Sequence, residues 1–269
     1  MLDIIDDLRK GFHLDLSKYG TSYLNKILQK RMKEANCTTS AQYLEYMESH
    51  PEEASILDEV LQNNYSLFFR NQLTFSVLDK IVLPNLLHQA SASETKEIRI
   101  WSMACASGEE PYSLAILLEE HLNGHSTKRS SVVFASDQSE AHLNEAKKGL
   151  FEITSMGNVC VKQVNKYFEI QENKFAIRPA LKSWIQFSIF DIFNDKWSSP
   201  PDSIFGDFDI VICANLLFYY QPEYQNIILN KAKNRLAKGG LLICGETERG
   251  ILIKHGFEEA FPQSCIFKT

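Results

Sequence analysis

No stretch of about eighteen uninterrupted apolar residues occurs in the 269-residue chain, which excludes a membrane-spanning helix of ordinary length. The six cysteines (Cys37, Cys105, Cys160, Cys213, Cys244 and Cys265) are far apart and form no CxxC pair. Several sit in apolar runs, where a free thiol behaves as a small hydrophobe, and the expectation is a reducing cytosol. The seven histidines are scattered, without HExxH or other ligand spacing, so no metal is expected. Basic residues are in deficit, 28 Lys and Arg against 34 Asp and Glu for a net charge of −6, which argues against a broad sequence-independent grip on nucleic acid. The opening MLDIIDDLRKGF places acids where a signal peptide needs a basic start, and no lipidation motif is seen. A cytoplasmic protein with no stable membrane insertion is expected. There is neither a repeat of 20–50 residues nor a low-complexity tract.

What is present is enough apolar side chain for a real core, 44% hydrophobic with 23% charged residues, and a length that accommodates two domains. Up to about residue 90 the apolar positions recur at helical spacing, as in Tyr23, Leu24, Ile27, Leu28 and Met32, and then Tyr43, Leu44 and Met47. A helix through Phe75, Leu78, Ile81 and Val82 closes this region. The polar stretch Ser91 to Lys96 follows as a linker, which divides the chain into a helical domain over 1–90 and a second domain over 91–269. There the texture becomes strand, loop, helix. Ile98–Ser102 precedes a helix opened by Glu110 and Pro111, and Val132–Ser136 with Asp137 at its end precedes a helix over 139–149. Phe208–Cys213 precedes a helix from Pro222 to Lys238, and after the Gly239-Gly240 stop Leu241–Cys244 forms a further buried strand. This alternation predicts a parallel sheet covered on both faces. Residues 150–187 break the rhythm and predict a small antiparallel insertion.

The segment Trp101-Ser-Met-Ala-Cys-Ala-Ser-Gly-Glu-Glu-Pro-Tyr-Ser113 carries the most chemistry. Ala104, Ala106 and Gly108 at alternate positions let a ligand approach the backbone at the carboxyl end of a strand, where open α/β sheets bind ligands. Glu109 and Glu110 occupy the positive end of the following helix, which disfavours a phosphate and favours a cationic ligand such as S-adenosylmethionine. Two carboxylates in a first turn are equally ordinary helix-stabilising residues, and that reading stays open on the loop alone. Asp137 ends the second strand, placed to accept hydrogen bonds from ribose hydroxyls, although a cap ahead of the next helix is common. Its spacing from Gly108 exceeds the roughly 20 residues of a dinucleotide fingerprint, which disfavours a dehydrogenase. Asp191 in Phe187-Ser-Ile-Phe-Asp-Ile192 ends a predicted strand and stands ready to receive an adenine amino group. Cys213-Ala-Asn-Leu-Leu-Phe-Tyr-Tyr220 brings Asn215 and Tyr219 to the same sheet edge. Asn63-Asn-Tyr-Ser-Leu-Phe-Phe-Arg70 clusters polar residues beside two phenylalanines.

Together and in order, these segments resemble the chemotaxis receptor methyltransferase family of the CheR type. Its Asn-x-Thr-x-Phe-Phe-Arg landmark is matched by Asn64-Tyr-Ser-Leu-Phe-Phe-Arg70 and its Trp-Ser…Gly-Glu-Glu-Pro-Tyr-Ser segment by Trp101–Ser113. Its Thr-Asp is Ser136-Asp137, and its Cys-Arg-Asn-x-x-x-Tyr-Phe is Cys213–Tyr220. The resemblance implies an α/β fold: a Rossmann-like methyltransferase sheet with an N-terminal all-helical domain and a small antiparallel β insertion. It implies O-methylation of chemoreceptor glutamates from S-adenosylmethionine, giving S-adenosylhomocysteine. Asn64, Ser66, Arg70, Glu110, Asp137, Asp191, Ile192, Asn215 and Leu216 would line the cofactor site, Glu110 meeting the amino end and Asp137 the ribose. Arg70 and Tyr219 would be the catalytic pair, orienting the incoming carboxylate near the methyl.

Such a transfer needs little equipment, since a glutamate is already ionised at neutral pH and the sulfonium activates the methyl, so positioning and desolvation suffice. The partner implied is the helical cytoplasmic domain of a chemoreceptor, met by a basic face of Lys26, Lys30, Arg31 and Lys33 opposite Leu24, Ile27, Leu28 and Met32. The chain departs from the family at Ala214, where an arginine is usual, at Ser66 for Thr and at Asp191 for Asn. Gly245-Glu-Thr-Glu248 stands for Gly-His-Ser-Glu. The insertion that docks a receptor's C-terminal peptide in some members is short here. Two alternatives stand beside this reading: a methyltransferase of the same fold acting on another protein carboxylate or a small molecule, and a non-catalytic S-adenosylmethionine-binding module.

Overall fold

The computed structural model describes residues 2–12, 14, 16–62, 65–91, 97–122, 131–203 and 207–268. The chain divides into two compact units, residues 1–64 with 218–225, and residues 65–217 with 226–269. Among the described residues no helix is long and apolar enough to cross a membrane.

The first unit contains helices α1 (Leu2–Phe12), α2 (Thr21–Glu34), α3 (Ser40–Ser49) and α4 (Glu52–Leu61). Thr39 opens α3 with a reciprocal capping box, accepting the Gln42 N–H at 3.3 Å while the Gln42 amide oxygen accepts the Thr39 N–H at 3.2 Å. Leu8, Leu24, Leu28, Tyr43, Met47 and Leu57 fill the interior. Within it Glu53 is 1% exposed, which is tolerable only because the carboxylate is paired and hydrogen-bonded. Arg31 Nε donates to Glu53 Oε1 at 2.8 Å and the Tyr43 hydroxyl to the same oxygen at 2.6 Å. Burial alone would push this carboxyl up, but the Arg31 guanidinium and the Tyr43 hydroxyl hold it below the usual range. The segment 218–225 is anchored in this unit: Tyr220 stacks on Tyr19 with ring centroids 5.4 Å apart, Gly20 N–H donates to Tyr219 O at 2.8 Å and Gln221 N–H to Lys18 O at 3.0 Å.

The second unit begins with α5 (Gln72–Val77), a π-helical turn over Leu78–Val82 and α6 (Leu83–Ser91). Its apolar face, Phe75, Leu78, Val82, Leu83 and Leu87, belongs to the core built around Ile98, Ile100, Leu114 and Leu118. The periodicity places this helix with the preceding helical region, whereas its packing is against the sheet domain. The sheet follows with β1 (Ile98–Ser102), α7 (Glu109–Leu122), β2 (Ser131–Asp137) and α8 (Glu140–Lys148). Ser139 caps α8, accepting the His142 N–H at 3.3 Å, and Gly149 at φ +66° ends it. Then come β3 (Leu150–Phe151), α9 (Val161–Tyr167), β4 (Phe168–Gln171), β5 (Lys174–Ile177), α10 (Pro179–Lys182) and β6 (Ile185–Ile189). The remaining elements are β7 (Phe208–Ile212), α11 (Pro222–Lys233), β8 (Leu236–Ile243), α12 (Arg249–Lys254), β9 (Glu258–Glu259) and β10 (Ile266–Lys268).

Seven strands form one sheet in the order β6-β2-β1-β7-β8-β10-β9, and β3-β5-β4 form a separate antiparallel sheet. Pairing is parallel from β6 through to β8 and antiparallel at β10 and β9. Every residue of β7 is buried, as a parallel strand covered on both faces requires. The expected α/β sheet and antiparallel insertion are therefore found. One expected boundary is not: the helix expected to run from Pro222 to Lys238 ends at Lys233, and β8 already pairs with β7 at Leu236↔Phe208. The ladder resumes at Leu241↔Ile210, so Gly239-Gly240 forms an irregularity inside the strand rather than a helix stop. Gly239 has φ +80°, and a Cβ on Gly240 would lie 2.9 Å from the carbonyl oxygens of Phe208 and Ala237.

Candidate functional site

The carboxyl ends of β1, β2, β6 and β7 lie side by side, and the loops leaving them carry the residues singled out from sequence. Beyond β1, Met103 N–H donates to Ile212 O at 2.9 Å and Cys105 N–H to Ser136 O at 3.0 Å, so the small-residue loop is strung across both neighbouring strands. Ala106 (φ +44°) and Gly108 (φ +100°) take left-handed backbone there, and a Cβ on Gly108 would stand 2.9 Å from the Ala146 methyl. Asp137 is 7% exposed. Its Oδ2 accepts the Ala106 N–H and its Oδ1 the Ser139 N–H, both at 2.9 Å, with His142 Nδ1 3.5 Å away. Asp137 thus fixes the loop as well as facing the sheet edge, and each carboxylate oxygen keeps a further lone pair. Ser136, in the place of a threonine, accepts from Trp101 Nε1 at 2.9 Å and donates to Met103 O at 3.2 Å.

A narrow cleft of about 20 Å³ is lined by Arg70, Thr74, Glu110, Ala214, Asn215 and Cys244, among others. Ser102, at the end of β1, donates to Glu110 Oε1 at 2.6 Å. Burial pushes the Glu110 carboxyl up to about 7 and the Glu248 charge adds to the rise, while Ser102 and Arg70 draw it down. Arg70 is half-buried, donates to Tyr65 O at 2.9 Å and lies over the Tyr65 ring. Its loop is fixed by the two phenylalanines before it. Phe68 is fully buried, edge-on to Phe151 and Phe168, and its N–H donates to Ser155 O at 3.1 Å. Phe69 (φ +49°) donates to Ser113 Oγ at 2.9 Å and packs on Phe75. Asn71 follows at φ +63°. Ser66 is half-buried on the same loop, and Asn64 lies outside the described residues.

Asn215, a further polar residue of the cleft, is itself left-handed at φ +60°, a conformation that asparagine tolerates. A buried carboxylate not singled out from sequence holds it there. Glu248, 0% exposed, accepts the N–H groups of Asn215 at 2.7 Å, Leu217 at 2.6 Å and Gly245 at 2.8 Å. Burial pushes its carboxyl up and these backbone donors pull it back. Gly245 has to be glycine, since a Cβ would lie 2.9 Å from Glu248 Oε2 and 3.0 Å from both Asn215 N and Oδ1. The signal in the sequence was the Gly-x-x-Glu spacing after a buried strand; nothing in it told an inward from an outward carboxylate.

Beyond β6, Ile192 is buried and Asp191 is exposed, two residues past the end of the strand rather than at its last position. The strand stops earlier because Asp191 turns the chain, its Oδ1 accepting the Phe193 N–H at 2.9 Å. Leu216 is buried beside Asn215. Tyr219 belongs to the first unit, its ring 4.7 Å from that of Tyr23. Of the basic face on α2, Lys26, Lys30 and Lys33 are exposed. Arg31 is not part of it: its side chain is 13% exposed and committed to Glu53 and Glu34. Among the described residues no cluster of metal-binding side chains occurs.

The donor set fits S-adenosylmethionine: a carboxylate facing the cleft where the ammonium would lie, a carboxylate at the end of the second strand for a ribose diol, and small backbone between them. Family models match most of the chain, "CheR methyltransferase, all-alpha domain" over residues 2–61 and "CheR methyltransferase, SAM binding domain" over residues 64–263. A chemotaxis protein methyltransferase of Borreliella burgdorferi is 27% identical over 248 residues, 91% of this chain and 86% of that protein. Chemotaxis protein methyltransferase 1 of Pseudomonas aeruginosa is 32% identical over 194 residues, 71% of this chain and 68% of that protein. The chain belongs to the CheR methyltransferase family, with the S-adenosylmethionine-binding domain of that family preceded by its all-α domain.

Proposed function

We propose that this methyltransferase esterifies glutamate side chains on the helical cytoplasmic domain of a chemoreceptor. The observation that carries the reading is the pairing of Arg70 with Glu110 in one narrow cleft: a cation to orient an incoming carboxylate beside an acid to hold the amino end of the cofactor. Relatives named as chemotaxis methyltransferases support it. Bound S-adenosylmethionine supplies a methyl group made electrophilic by its sulfonium. Asp137 accepts from the ribose hydroxyls with its remaining lone pairs, Asp191 from the adenine amino group, and Ile192 and Leu216 supply apolar walls. Asn215 lines the cleft beside Arg70 and Glu110, and Ser66, on the loop that carries Arg70, supplies a hydroxyl to the cofactor. Arg70 holds the acceptor carboxylate, which is ionised at neutral pH. That carboxylate would take up the methyl as an anion, so no proton has to be moved and no general base is needed.

The exposed Lys26, Lys30 and Lys33 offer a positive face to acidic receptor helices. Incubation with methyl-labelled S-adenosylmethionine and a receptor cytoplasmic fragment checks this reading. Label released as methanol in alkali is the expected result, strongly reduced in Arg70→Ala and in a Lys26/Lys30/Lys33→Glu triple variant. Alkali-stable label would remove the carboxylate as acceptor, and transfer insensitive to the triple variant would remove the proposed docking face.

A further inference from the structure

Lys231, on α11, belongs to none of the motifs discussed above, yet its ammonium is the centre of the loop that leaves β6. Its Nζ donates to three backbone carbonyls, Ile192 O at 2.6 Å, Asn194 O at 2.9 Å and Trp197 O at 3.0 Å. An ammonium has three N–H donors, so all of them are spent on one loop. The loop is shaped to present those carbonyls. Asp191 Oδ1 accepts the Phe193 N–H and Asn194 Oδ1 the Lys196 N–H, both at 2.9 Å, giving two successive Asx turns. The Asn194 N–H closes on Asp191 O at 3.1 Å. At its start the loop is tied to the ribose side, since the Phe190 N–H donates to Asp137 O at 2.9 Å, and the Phe190 ring lies 5.3 Å from the ammonium.

Three carbonyl dipoles turned toward one point repel each other unless a cation sits there. Without it the Asx turns remain, but the loop loses its tie to α11 at Ile192, Asn194 and Trp197. The groups facing Lys231 from the loop include Asp191 and Asp195, whose charges favour the ammonium form, while burial works against it. We infer that Lys231 is a positioning residue for adenine recognition: by organising residues 192–197 it holds Asp191 and Ile192 where they select the nucleobase. The inference rests on the cofactor-site reading above and adds to it a residue on another element.

The test is titration of the whole chain with two ligands, S-adenosylhomocysteine and S-inosylhomocysteine, which differ at the amino group that Asp191 is proposed to receive. The wild type is expected to prefer the adenine ligand. Lys231→Met is expected to bind it about tenfold less tightly and to lose most of that preference. Its kcat at saturating S-adenosylmethionine should stay within about twofold of wild type, so that the loss appears in KM. Lys231→Arg, which keeps charge and donors, should recover most of the discrimination. Asn194→Ala unties the second turn without altering α11, and it should shift the preference in the same direction even where Lys231→Met does not fold. Wild-type discrimination in Lys231→Met or Asn194→Ala would overturn the role of Lys231 alone. Absence of binding to the wild type would overturn the cofactor-site reading with it.

Discussion

Glu110 sits at the head of α7 with its carboxyl pushed up to about 7 by burial, which makes its charge conditional at physiological pH. Because the folded value lies above that of the unfolded chain, the folded state retains a proton that the unfolded state releases above about 4.5. This contribution to the stability of the free protein is therefore present at low pH and falls as pH rises from about 4.5 to about 7. A ligand ammonium reverses the preference, since it favours the carboxylate. S-adenosylhomocysteine affinity is thus expected to rise between about pH 6 and 8 and then level off, and Glu110→Gln to bind weakly with little pH dependence; calorimetric titration across that range checks both. The positions of Glu110 in a first helical turn and of Asp137 at a strand end were legible in sequence, because strand ends and helix starts leave local patterns. Glu248 and Arg31 were not, since their roles depend on partners 31 and 33 residues away for the first and 22 for the second. Pattern alone cannot separate a lysine or arginine on a solvated face from one reaching a buried acid, and Arg31, three residues from the buried Leu28, took the second course.

At the scale of elements, the alternation of strand, loop and helix gave the sheet and the edge where its loops gather, because buried parallel strands leave continuous apolar runs. It gave less at the Gly239-Gly240 irregularity of β8, where two glycines fit both a helix stop and a close backbone approach. It placed the helix through Phe75 and Val82 with the helical region, whereas that helix packs in the core of the second unit, since an amphipathic stripe names a face and not its partner. The junction after β8 is the element on which the cleft depends most directly. Glu248 clasps Gly245 N and Asn215 N at 2.8 and 2.7 Å, and a Cβ on Gly245 would lie within 3.0 Å of both Glu248 and Asn215, so a methyl group at Gly245 must displace either the buried carboxylate or the left-handed asparagine. Gly245→Ala is expected to cost about 1–3 kcal/mol of stability and to weaken S-adenosylhomocysteine binding, because Asn215 moves with the clasp. Gly250→Ala serves as the comparison, since a Cβ there meets nothing within 4 Å. Thermal unfolding and ligand titration of the two variants side by side should separate them; equal behaviour would mean that the clasp yields without cost.

At the scale of the whole molecule, the covalent order of the chain and its compact units do not coincide. The first unit takes in residues 218–225, inserted between β7 and β8 of the second. Those residues are integral to it: Tyr220 stacks on Tyr19, Gln221 donates to the carbonyls of Lys18 and Ser17, and Tyr219 lies against Tyr23. Tyr19 and Tyr220 are 3% and 8% exposed. A fragment beginning at residue 65 would keep the segment 218–225 while losing everything that buries it. The Tyr220 ring would then be left in water, forfeiting roughly 1–2 kcal/mol of apolar burial. For a chain of this size that corresponds to a fall in Tm of several degrees, about 2–4 °C per kcal/mol. The 65–269 fragment is therefore expected to unfold at lower temperature than the full chain. Its amides at Tyr220 and Gln221 should exchange with solvent far faster, while those of β1 and β7 stay protected. Hydrogen exchange on the two proteins decides it: equal protection at Gln221 would show that the segment holds its conformation without the helices, and that the all-α domain is an addition to the sheet rather than the completion of one of its loops.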